Sequence, residues 1–486
     1  MGGDPSMRSK VTRLAVVCLI CLFGLALQAQ DAGSVWSAKK SSWLLLTAPQ
    51  RQEVGRFAEE YKSYLSVAKS ALTSTREVIR LAKAAGFAEF TDPAQVKPGA
   101  RLIIPDRQRA VILAVIGSEP MVDSSRLVGA HHDSNHLDLK ARPVVAGDHS
   151  GVALFKTVYY GGLKKYQWSN LPLALIGKID TADGRSIDVS IGFKPDEPVF
   201  VIADNAPHSD EELRNRTYNT VLKGEEMDPV AGSVPGESAS VVAEVIRELT
   251  TRYKVREEDF VSSELHLVPV EQPRDVGVDH GLIGAYGQDD RLSSYCAIRA
   301  VMDLKGTPRF TAMAYLSNFE EVGSVNNTGA RSQFLNTSYA RLVGAQQGKA
   351  FSDLDLRRAL HNAEVISADT NDGINPIFGT QSSEESNASR VGYGVAIKKY
   401  GRGFDANSEY TARIIGVMEK NGIPWQTQTP KVDVGGGGTI GGFMSQEDME
   451  VIDLGVPLLS MHAPFEMSSK VDVWNFYRCM LAFLGS

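Results

Sequence analysis

An apolar run that ends in two acidic residues, TAMAYLSNFEEVGS, occupies positions 311–324 of the sequence. Its first seven residues are apolar or small, which is typical of a strand buried on both faces of a parallel sheet. The turn that follows leaves Glu320 and Glu321 at the carboxyl end of this strand. Such a pair is usually a solvated surface feature, but here an apolar strand and the glycine turn at Gly323 enclose it. The stretch therefore predicts a buried strand and marks the pair as candidate functional residues.

Strand-like and helical segments alternate on both sides of this strand. Strands are predicted at residues 101–105, 110–117, 126–130, 310–316, 364–368 and 457–461, and helices within residues 42–86 and at 292–304 and 330–343. Ser74 and Thr75 are candidate N-caps of the second helix within residues 42–86. Alternation of this kind is typical of α/β proteins, whose helices cover a sheet. The sequence therefore predicts an α/β fold with a mixed, mostly parallel sheet flanked by helices.

Residues 147–273 have a different texture. Short β-like runs at 173–176, 187–191 and 199–202 are separated by polar turns, a charged stretch at 209–217 and a Gly/Ser/Pro-rich stretch at 231–240. We interpret this segment as an inserted β-rich domain. The predicted organisation is a leader at residues 1–30, a first catalytic segment at 31–148, the insert at 149–273 and a second catalytic segment at 274–486.

The composition excludes several classes of protein. Of the 486 residues 43% are hydrophobic and 22% are charged, so the chain is not mostly disordered, collagenous or coiled-coil. The net charge of −7 provides no broad basic surface, so nucleic acid is not an expected partner. Two of the four cysteines lie in an apolar N-terminal segment, and Cys296 and Cys479 lie in apolar helical patterns, which excludes a disulfide scaffold.

The N-terminus has the pattern of a signal peptide. Basic residues at positions 8, 10 and 13 precede an apolar run at 14–27, and small residues follow near Ala29. The run is shorter than the roughly 20 apolar residues that a transmembrane helix usually needs. We therefore expect an exported, periplasmic or lumenal protein with no stable membrane insertion after the leader is removed. An uncleaved anchor and a chance apolar N-terminus are the alternatives.

Candidate metal ligands lie after predicted strands or, in one case, in the loop before a predicted helix. They are His131, Asp289, Glu320, Glu321, Asp369 and His462. Because open α/β sheets bind ligands outside the carboxyl ends of their strands, we expect these side chains to converge on one crevice. Imidazoles with several carboxylates suit zinc or a similar divalent ion, and one carboxylate can bridge a metal pair. Taken alone, each histidine would more often be a hydrogen-bonded structural residue.

Other functional classes leave weaker signals. GGGTIG at positions 436–441 fits the G-x-G-x-x-G pattern of dinucleotide sites, but only a short strand signal precedes it. A glycine loop that lets the backbone approach a substrate is the favoured interpretation. The sequence contains neither H-E-x-x-H nor G-x-S-x-G, which argues against a single-zinc helix protease and an α/β-hydrolase. A scaffold or binding protein on the same fold is the non-enzyme alternative.

Several short motifs together resemble the aspartyl aminopeptidases, which are two-metal exopeptidases that assemble as tetrahedral dodecamers. The motifs are AHHDS at 130–134, GQDDR at 287–291, NFEEVGS at 318–324, SAD at 367–369 and SMH at 460–462, with YGG at 160–162 and GTIG at 438–441 also fitting. Each motif is modestly specific, whereas all of them in this order are highly specific. The resemblance covers nearly all of the chain after the leader. It implies a zinc-exopeptidase fold and a metalloaminopeptidase that removes N-terminal Asp or Glu from short peptides.

The resemblance also implies a role for each candidate residue. His131 and Asp369 would bind one metal ion, Glu321 and His462 a second, and Asp289 both. The two divalent ions would be zinc, with manganese or cobalt as alternatives. Glu320 would be the general base that takes a proton from the attacking water. Asp133 would accept the other N–H of His131 and so fix its tautomer.

Two further roles follow from the resemblance. The insert would pair subunits of a homo-oligomer, expected to be a dodecamer, and His208 would reach the active site of a neighbouring subunit to donate to the developing oxyanion. Lys398 would pair with the acidic side chain of the substrate. An exposed loop histidine and an exposed strand lysine are the respective alternatives.

Three positions depart from the family pattern. Asn135 stands where the family usually has proline, Asp372 begins a pair that replaces His-Ala, and Ala463 replaces a serine. None of these departures removes an implied metal ligand, but all of them bear on the shape of the pocket. Neutral or broad side-chain specificity therefore stays open as an alternative. The family is mostly intracellular, which conflicts with the predicted leader.

Overall fold

The computed structural model describes residues 35–36, 39–237, 239–380, 382–401, 404–434 and 438–486. The chain divides into two units, Met1–Leu46 and Thr47–Ser486. The first unit contains a 3-10 turn at Ser42–Leu45, and the predicted leader lies outside the described residues. Among the helices that the structure describes, none is both long and apolar enough to cross a membrane. The elements below belong to the second unit.

Helices cover much of the second unit. The described α-helices are α1 (Ala48–Val67), α2 (Ala71–Ala84), α3 (Glu211–Arg214), α4 (Val241–Tyr253), α5 (Gln288–Asp303), α6 (Phe334–Gln347), α7 (Asp353–His361), α8 (Ser408–Lys420), α9 (Gly441–Ser445) and α10 (Lys470–Leu484). Short 3-10 turns connect other elements, and the turn at Glu320–Val322 contains the acidic pair.

The described strands fall into sheets of nine, six and five strands. In chain order they are β1 (Ala88–Glu89), β2 (Arg101–Asp106), β3 (Ala110–Val115), β4 (Ser125–His131), β5 (His136–Ala146), β6 (Ala153–Tyr160), β7 (Leu173–Asp180), β8 (Ser186–Ile191), β9 (Val230–Gly232), β10 (Ser263–Pro269), β11 (Arg274–Val276), β12 (Leu282–Ala285), β13 (Thr311–Ser317), β14 (Ala363–Ala368), β15 (Asn371–Asp372), β16 (Val395–Lys398), β17 (Trp425–Gln428), β18 (Glu450–Gly455), β19 (Pro457–Leu459) and β20 (Glu466–Ser469).

The largest sheet has the strand order β1-β2-β3-β13-β4-β14-β18-β16-β17. Its centre is parallel, because β13 and β14 both run parallel to β4 and β18 runs parallel to β14. On either side of this centre, β3 and β16 run antiparallel to their inner neighbours. The prediction of an α/β fold with a mixed, mostly parallel sheet is confirmed.

Three adjacent strands at the centre of this sheet lie in the hydrophobic core. Every residue of β3, β4 and β13 is buried, as continuous apolar strands of a covered sheet should be. Ile112, Leu127 and Tyr315 from these strands pack in one core with Leu342 of α6 and Leu360 of α7. Full burial of one such apolar side chain stabilises the fold by about 1.5–3 kcal/mol. Close packing therefore fixes the positions at which these strands end.

The carboxyl ends of three parallel strands meet at one edge of this sheet. β4 lies between β13 and β14, and Ser317 at the end of β13 is aligned with His131 at the end of β4. Glu320 follows β13 by a short turn, and Asp369 directly follows β14. This edge is the place where the sequence predicted that the candidate ligands would converge.

The six-stranded sheet is antiparallel throughout, with the order β8-β7-β10-β5-β6-β9. It has its own hydrophobic core, in which Trp168, Leu175 and Phe260 are buried. The sheet includes β5, which begins at His136, before the predicted start of the insert at residue 149. The boundaries of the insert and its part in subunit pairing stay predictions.

Two local predictions differ from the structure. α2 begins after Ser70, whose hydroxyl accepts the backbone N–H of Thr73, so the predicted caps Ser74 and Thr75 lie inside the helix. The strand predicted at 457–461 is shorter, and as β19 it belongs to the five-stranded sheet. β18 instead extends the parallel centre, and acidic residues within it hid its strand pattern from sequence reasoning.

Candidate metal centre

β4 places His131 at the edge of the sheet, where its ring is buried. Its Nδ1 lies 3.3 Å from Oδ1 of Asp133. Its Nε2 lies 3.4 Å from Oδ1 of Asp289 and 3.9 Å from both Oε2 of Glu320 and Oδ1 of Asp369. One nitrogen of this imidazole therefore meets a single carboxylate, and the other nitrogen faces three.

Asp289 lies between the two candidate histidines. It was expected in the loop before a helix, and the structure places it in the first turn of α5 with non-helical angles of φ −83° and ψ 106°. Its Oδ1 faces His131, and its Oδ2 lies 3.1 Å from Nε2 of His462. One carboxylate, only 7% exposed, thus presents a different oxygen to each imidazole.

Both imidazoles direct Nε2 toward Asp289 because Nδ1 is engaged elsewhere. In His462, Nδ1 donates to the backbone carbonyl of Gly162 at 2.7 Å. In His131, Nδ1 faces the carboxylate of Asp133. In the neutral ring that metal binding requires, an acceptor at Nδ1 holds the proton there and leaves the lone pair on Nε2. This is the arrangement that metal-binding histidines usually have.

The turn after β13 sends the two glutamates to different histidines. Phe319 and Gly323 have positive φ angles of 63° and 93°, which fold the chain back on either side of the pair. Oε2 of Glu321 lies 3.4 Å from Nε2 of His462, whereas Glu320 faces His131. The side chain of Glu320 is 19% exposed and that of Glu321 only 3%. Adjacent residues of the same type thus have different surroundings.

Among the described residues at this edge of the sheet, two groups of donor atoms are compact enough to hold a metal ion. Within each group the donors lie within 4.8 Å of one another, and the groups are His131, Asp290 and Asp369, and Asp289, Glu321 and His462. Sequence reasoning missed Asp290, which is fully buried and accepts the hydroxyl of Ser293 at 2.5 Å. An acid three residues before a serine at the start of a helix has the pattern of an ordinary N-cap. The sequence around Asp290 therefore did not indicate a metal ligand.

The electrostatics of this edge favour a bound cation. Burial, and after it the charge of Asp289, raises the pKa of Glu321 well above its usual value. Burial likewise raises the pKa of Asp369 to about 8, although Lys398 opposes the shift. Burial lowers the pKa of His462, but its hydrogen bond to Asp289 and the charge of Glu321 outweigh this and raise the pKa to about 11. Carboxylates crowded in this way repel one another, and a divalent ion would relieve that repulsion.

The donor set fits zinc. It consists of imidazole nitrogens and carboxylate oxygens, which are ligands that zinc accepts. In the part of the chain that the structure describes, Oε1 of Glu321 is buried without a hydrogen-bond partner. A buried, unpaired carboxylate oxygen is costly, and coordination of a metal ion would remove that cost.

Asp133 connects the acidic pair to His131. Its two oxygens accept the backbone N–H groups of Glu320 and Glu321, each at 3.2 Å. Oδ2 also accepts the hydroxyl of Tyr160 at 2.7 Å. These donors hold the carboxylate in place beside His131, where the sequence predicted it.

Glu466 is a second residue that sequence reasoning missed. It is 2% exposed. Its Oε2 accepts the backbone N–H groups of Gln288 at 2.6 Å and Asp289 at 3.1 Å, and its Oε1 accepts that of His462 at 2.7 Å. The carboxylate therefore ties together two chain segments that carry candidate ligands. Its place four residues after His462 was the sole hint, and backbone contacts of this kind leave no motif.

A cavity of about 500 Å³ opens over these groups. Lys398 lines it with its side chain 15% exposed, so it is not an exposed strand lysine. Its Nζ donates to the carbonyl of Thr370 at 3.0 Å and lies 3.7 Å from Oδ1 of Asp453. Asp372, one of the departures from the family pattern, also lines the cavity.

The cavity is lined by part of the glycine stretch but not by His208. Gly438 and Thr439 line it, whereas residues 435–437 of the glycine stretch lie outside the described residues. His208 is exposed and is not among the described residues that line the cavity. The structure therefore does not bring His208 to the candidate centre of its own chain.

Comparisons with known proteins point to one family. The model of the family described as "Aminopeptidase I zinc metalloprotease (M18)" matches residues 64–484. "Probable M18 family aminopeptidase 1" of Borrelia garinii subsp. bavariensis is 36% identical over 456 residues, which cover 92% of this chain and 99% of the relative. The crystal structure of an M18-family aminopeptidase from Thermotoga maritima is 36% identical, with a TM-score of 0.85 over 92% of this chain and 99% of its own. The mApe1 dodecamer of S. cerevesiae has a similar fold, with a TM-score of 0.71 at 19% identity over 88% of this chain and 96% of its own.

We expect Asp289→Ala to lose more bound zinc than His131→Ala, because Asp289 faces both imidazoles and His131 belongs to one donor group. Elemental analysis of the purified, folded variants measures this difference. Asp353→Ala, which changes an exposed aspartate of α7, should keep the wild-type metal content. Full metal content in Asp289→Ala would show that its carboxylate is not a shared ligand.

Proposed function

The chain belongs to the M18 family of zinc aminopeptidases, and we propose that it removes N-terminal residues from short peptides with two zinc ions that share Asp289. The observation that carries this proposal is the position of Asp289, whose two oxygens face His131 and His462 separately. In the proposed site, His131 and Asp369 hold one ion, Glu321 and His462 hold the other, and Asp289 holds both. Manganese and cobalt are alternatives, since they accept the same donors.

Metal ions held by these residues would supply Lewis acidity, which would polarise a peptide carbonyl and favour deprotonation of the attacking water. The residues of the chain supply position and proton transfer. Glu320 takes the proton of the attacking water and later delivers a proton to the leaving amine. Its 19% exposure supports this role, because a base must reach the cavity, whereas Glu321 is enclosed as a ligand should be. Asp133 fixes the orientation of His131 from the far side of the ring.

Side-chain specificity for Asp and Glu is the finer part of the proposal. A substrate carboxylate that enters a pocket shielded from water needs a cation, because burial of an unpaired charge costs free energy. Lys398 lines the cavity and supports this specificity. Its Nζ already lies 3.7 Å from Asp453, however, so part of its charge is balanced before a substrate binds. This pairing favours the second candidate function, a two-metal aminopeptidase of neutral or broad specificity.

Assembly is also part of the proposal. We propose a homo-oligomer, in full a dodecamer, in which His208 serves the centre of a neighbouring subunit. The dodecameric state of the S. cerevesiae protein supports the assembly. The exposure of His208 away from its own cavity supports the role in a neighbour. A closed assembly would admit short peptides and exclude folded proteins.

Glu320→Gln tests the general base. The variant keeps the size of the side chain and removes the proton acceptor, so we expect metal to be retained and kcat to fall by about 10²–10⁴, the usual scale for loss of such a group. Glu419→Gln, at an exposed position of α8, is the matched control and should keep wild-type kcat. Near-normal kcat in metal-replete Glu320→Gln would remove Glu320 from this role.

Lys398→Met tests the acidic specificity. Methionine keeps an apolar stem of similar length and removes the charge, so kcat/KM for N-terminal Asp and Glu should fall. The loss should correspond to about 2–4 kcal/mol of transition-state stabilisation, the scale for a broken buried charge pair. Activity on N-terminal Leu should change far less. Lys420→Met is the control, because Lys420 is an exposed lysine at the end of α8 and is not among the described residues that line the cavity. A wild-type protein that prefers Leu or Lys over Asp and Glu would establish the second candidate function instead.

The assembly predicts that activity and oligomeric state go together. Light scattering of the active protein should give a large closed oligomer, and His208→Ala should lower kcat without releasing metal, because the lost group is a hydrogen-bond donor to the oxyanion. His149→Ala, an exposed histidine in the same predicted insert, should leave kcat unchanged. An active monomer would contradict both the assembly and the role of His208.

A further inference from the structure

A second cluster of metal-ligand residues lies on the six-stranded sheet, outside the candidate centre. His136 and Asp138 are two residues apart on β5, so their side chains share one face of the sheet. His266 on β10 is the directly opposed partner of Asp138 in the antiparallel ladder. Side chains of opposed partners lie about 5 Å apart at Cβ, so the sheet itself brings the three together. Their donor atoms all lie within 4.8 Å of one another.

The contacts within this cluster require a cation beside the carboxylate of Asp138. Nδ1 of His136 lies 2.8 Å from the backbone carbonyl of Ser134, which can only accept, so Nδ1 carries a proton. A neutral ring then presents a lone pair at Nε2, yet Nε2 lies 2.9 Å from Oδ1 of Asp138. The same oxygen lies 2.5 Å from Nδ1 of His266. A lone pair facing a carboxylate is repulsive, so either a proton on Nε2 or a metal ion lies between the two atoms.

The charge of Asp138 has no lysine or arginine partner among the described residues. The cluster borders a cavity of about 550 Å³ that contains basic side chains, but each of these pairs with another acid. The pairs are Arg107 with Asp106 at 2.9 Å, Arg109 with Glu264 at 2.5 Å and Lys178 with Asp180 at 2.7 Å. The two imidazoles are therefore the groups that meet the charge of Asp138.

We propose that His136, Asp138 and His266 form a further divalent metal site, distinct from the candidate centre, which binds zinc through two imidazole nitrogens and one carboxylate oxygen. Two histidines and a carboxylate are a ligand set that zinc and similar transition metals accept. The contact between His136 and the Ser134 carbonyl is the orienting bond that a ligating histidine usually has. All three residues line the cavity, from which water or a small anion would complete the coordination of the ion.

Zinc binding requires a small rearrangement of one side chain. Donor atoms around a tetrahedral zinc lie about 3.3 Å apart, given bonds of about 2.0–2.1 Å. The contacts of Asp138 with the two rings are shorter than this, so its carboxylate must withdraw by roughly 0.5–1 Å to admit the ion. Its side chain is 31% exposed and borders the cavity, which leaves space for that movement. The two rings are more enclosed and can keep their positions.

The site is close enough to the candidate centre to support it. The ring of His136 stacks on Tyr160 with centroids 4.4 Å apart and planes 14° apart. Tyr160 donates to Asp133, which faces His131. An ion on His136 would fix the ring on which Tyr160 rests, and thereby steady the hydrogen bond that holds Asp133.

Zinc content in the Asp289→Ala background tests this site without interference from the candidate centre. After equilibration with zinc and removal of free metal, Asp289→Ala/His266→Ala should contain about one zinc per chain less than Asp289→Ala. Asp289→Ala/His361→Ala is the matched control, because His361 pairs with Asp448 at 2.7 Å on the surface and belongs to none of the potential metal-binding groups found among the described residues. It should bind as much zinc as Asp289→Ala.

Equal zinc contents in Asp289→Ala and Asp289→Ala/His266→Ala would overturn the site. If the His266 variant does not fold, Asp289→Ala/Asp138→Asn gives the same comparison with a side chain of unchanged shape, and it should also lose about one zinc. Cobalt provides an independent readout, because its visible spectrum reports coordination, and the His266 variant should lose one component of it. The result does not depend on the proposed aminopeptidase activity, so failure of either proposal can be distinguished from failure of the other.

Discussion

A carboxylate buried between two imidazoles costs free energy unless cations or hydrogen bonds compensate for its charge. Asp289 is in this position, and the arrangement of the rest of the site follows from it. His131 arrives from the end of a buried parallel strand, and His462 arrives from a loop more than three hundred residues later in the chain. The fold brings these segments together although the acids around them repel one another. A bound cation would offset this repulsion and so stabilise the convergence of the segments.

Two further carboxylates hold this arrangement through the backbone. Glu466 accepts N–H groups from both segments that flank Asp289 and His462, and Asp133 accepts those of Glu320 and Glu321. These hydrogen bonds fix the backbone positions from which the candidate ligand side chains extend. The carboxylates of Glu466 and Asp133 therefore position the candidate ligands, and the proposed metal ligands are other residues.

Local patterns in the sequence predicted the central strands β4, β13 and β14 and the convergence of candidate ligands near their ends, but not the place of β18 in the sheet. Apolar runs predict buried strands, and a residue that directly follows a parallel strand must lie at the edge where its neighbours end, as His131 and Asp369 do. Asp290 and Glu466 could not be predicted, since their roles depend on contacts between distant segments. The same holds for His266, which meets Asp138 through strand pairing alone. The roles in catalysis, specificity and assembly stay predictions.

The most direct test of the shared-ligand account is the anomalous scattering of zinc in crystals of the purified protein. The account predicts two peaks on either side of Asp289, each about 2.0–2.2 Å from one of its carboxylate oxygens, one beside His131 and the other beside His462. A single peak between the histidines, or peaks beside His131 and His462 that do not contact Asp289, would contradict it.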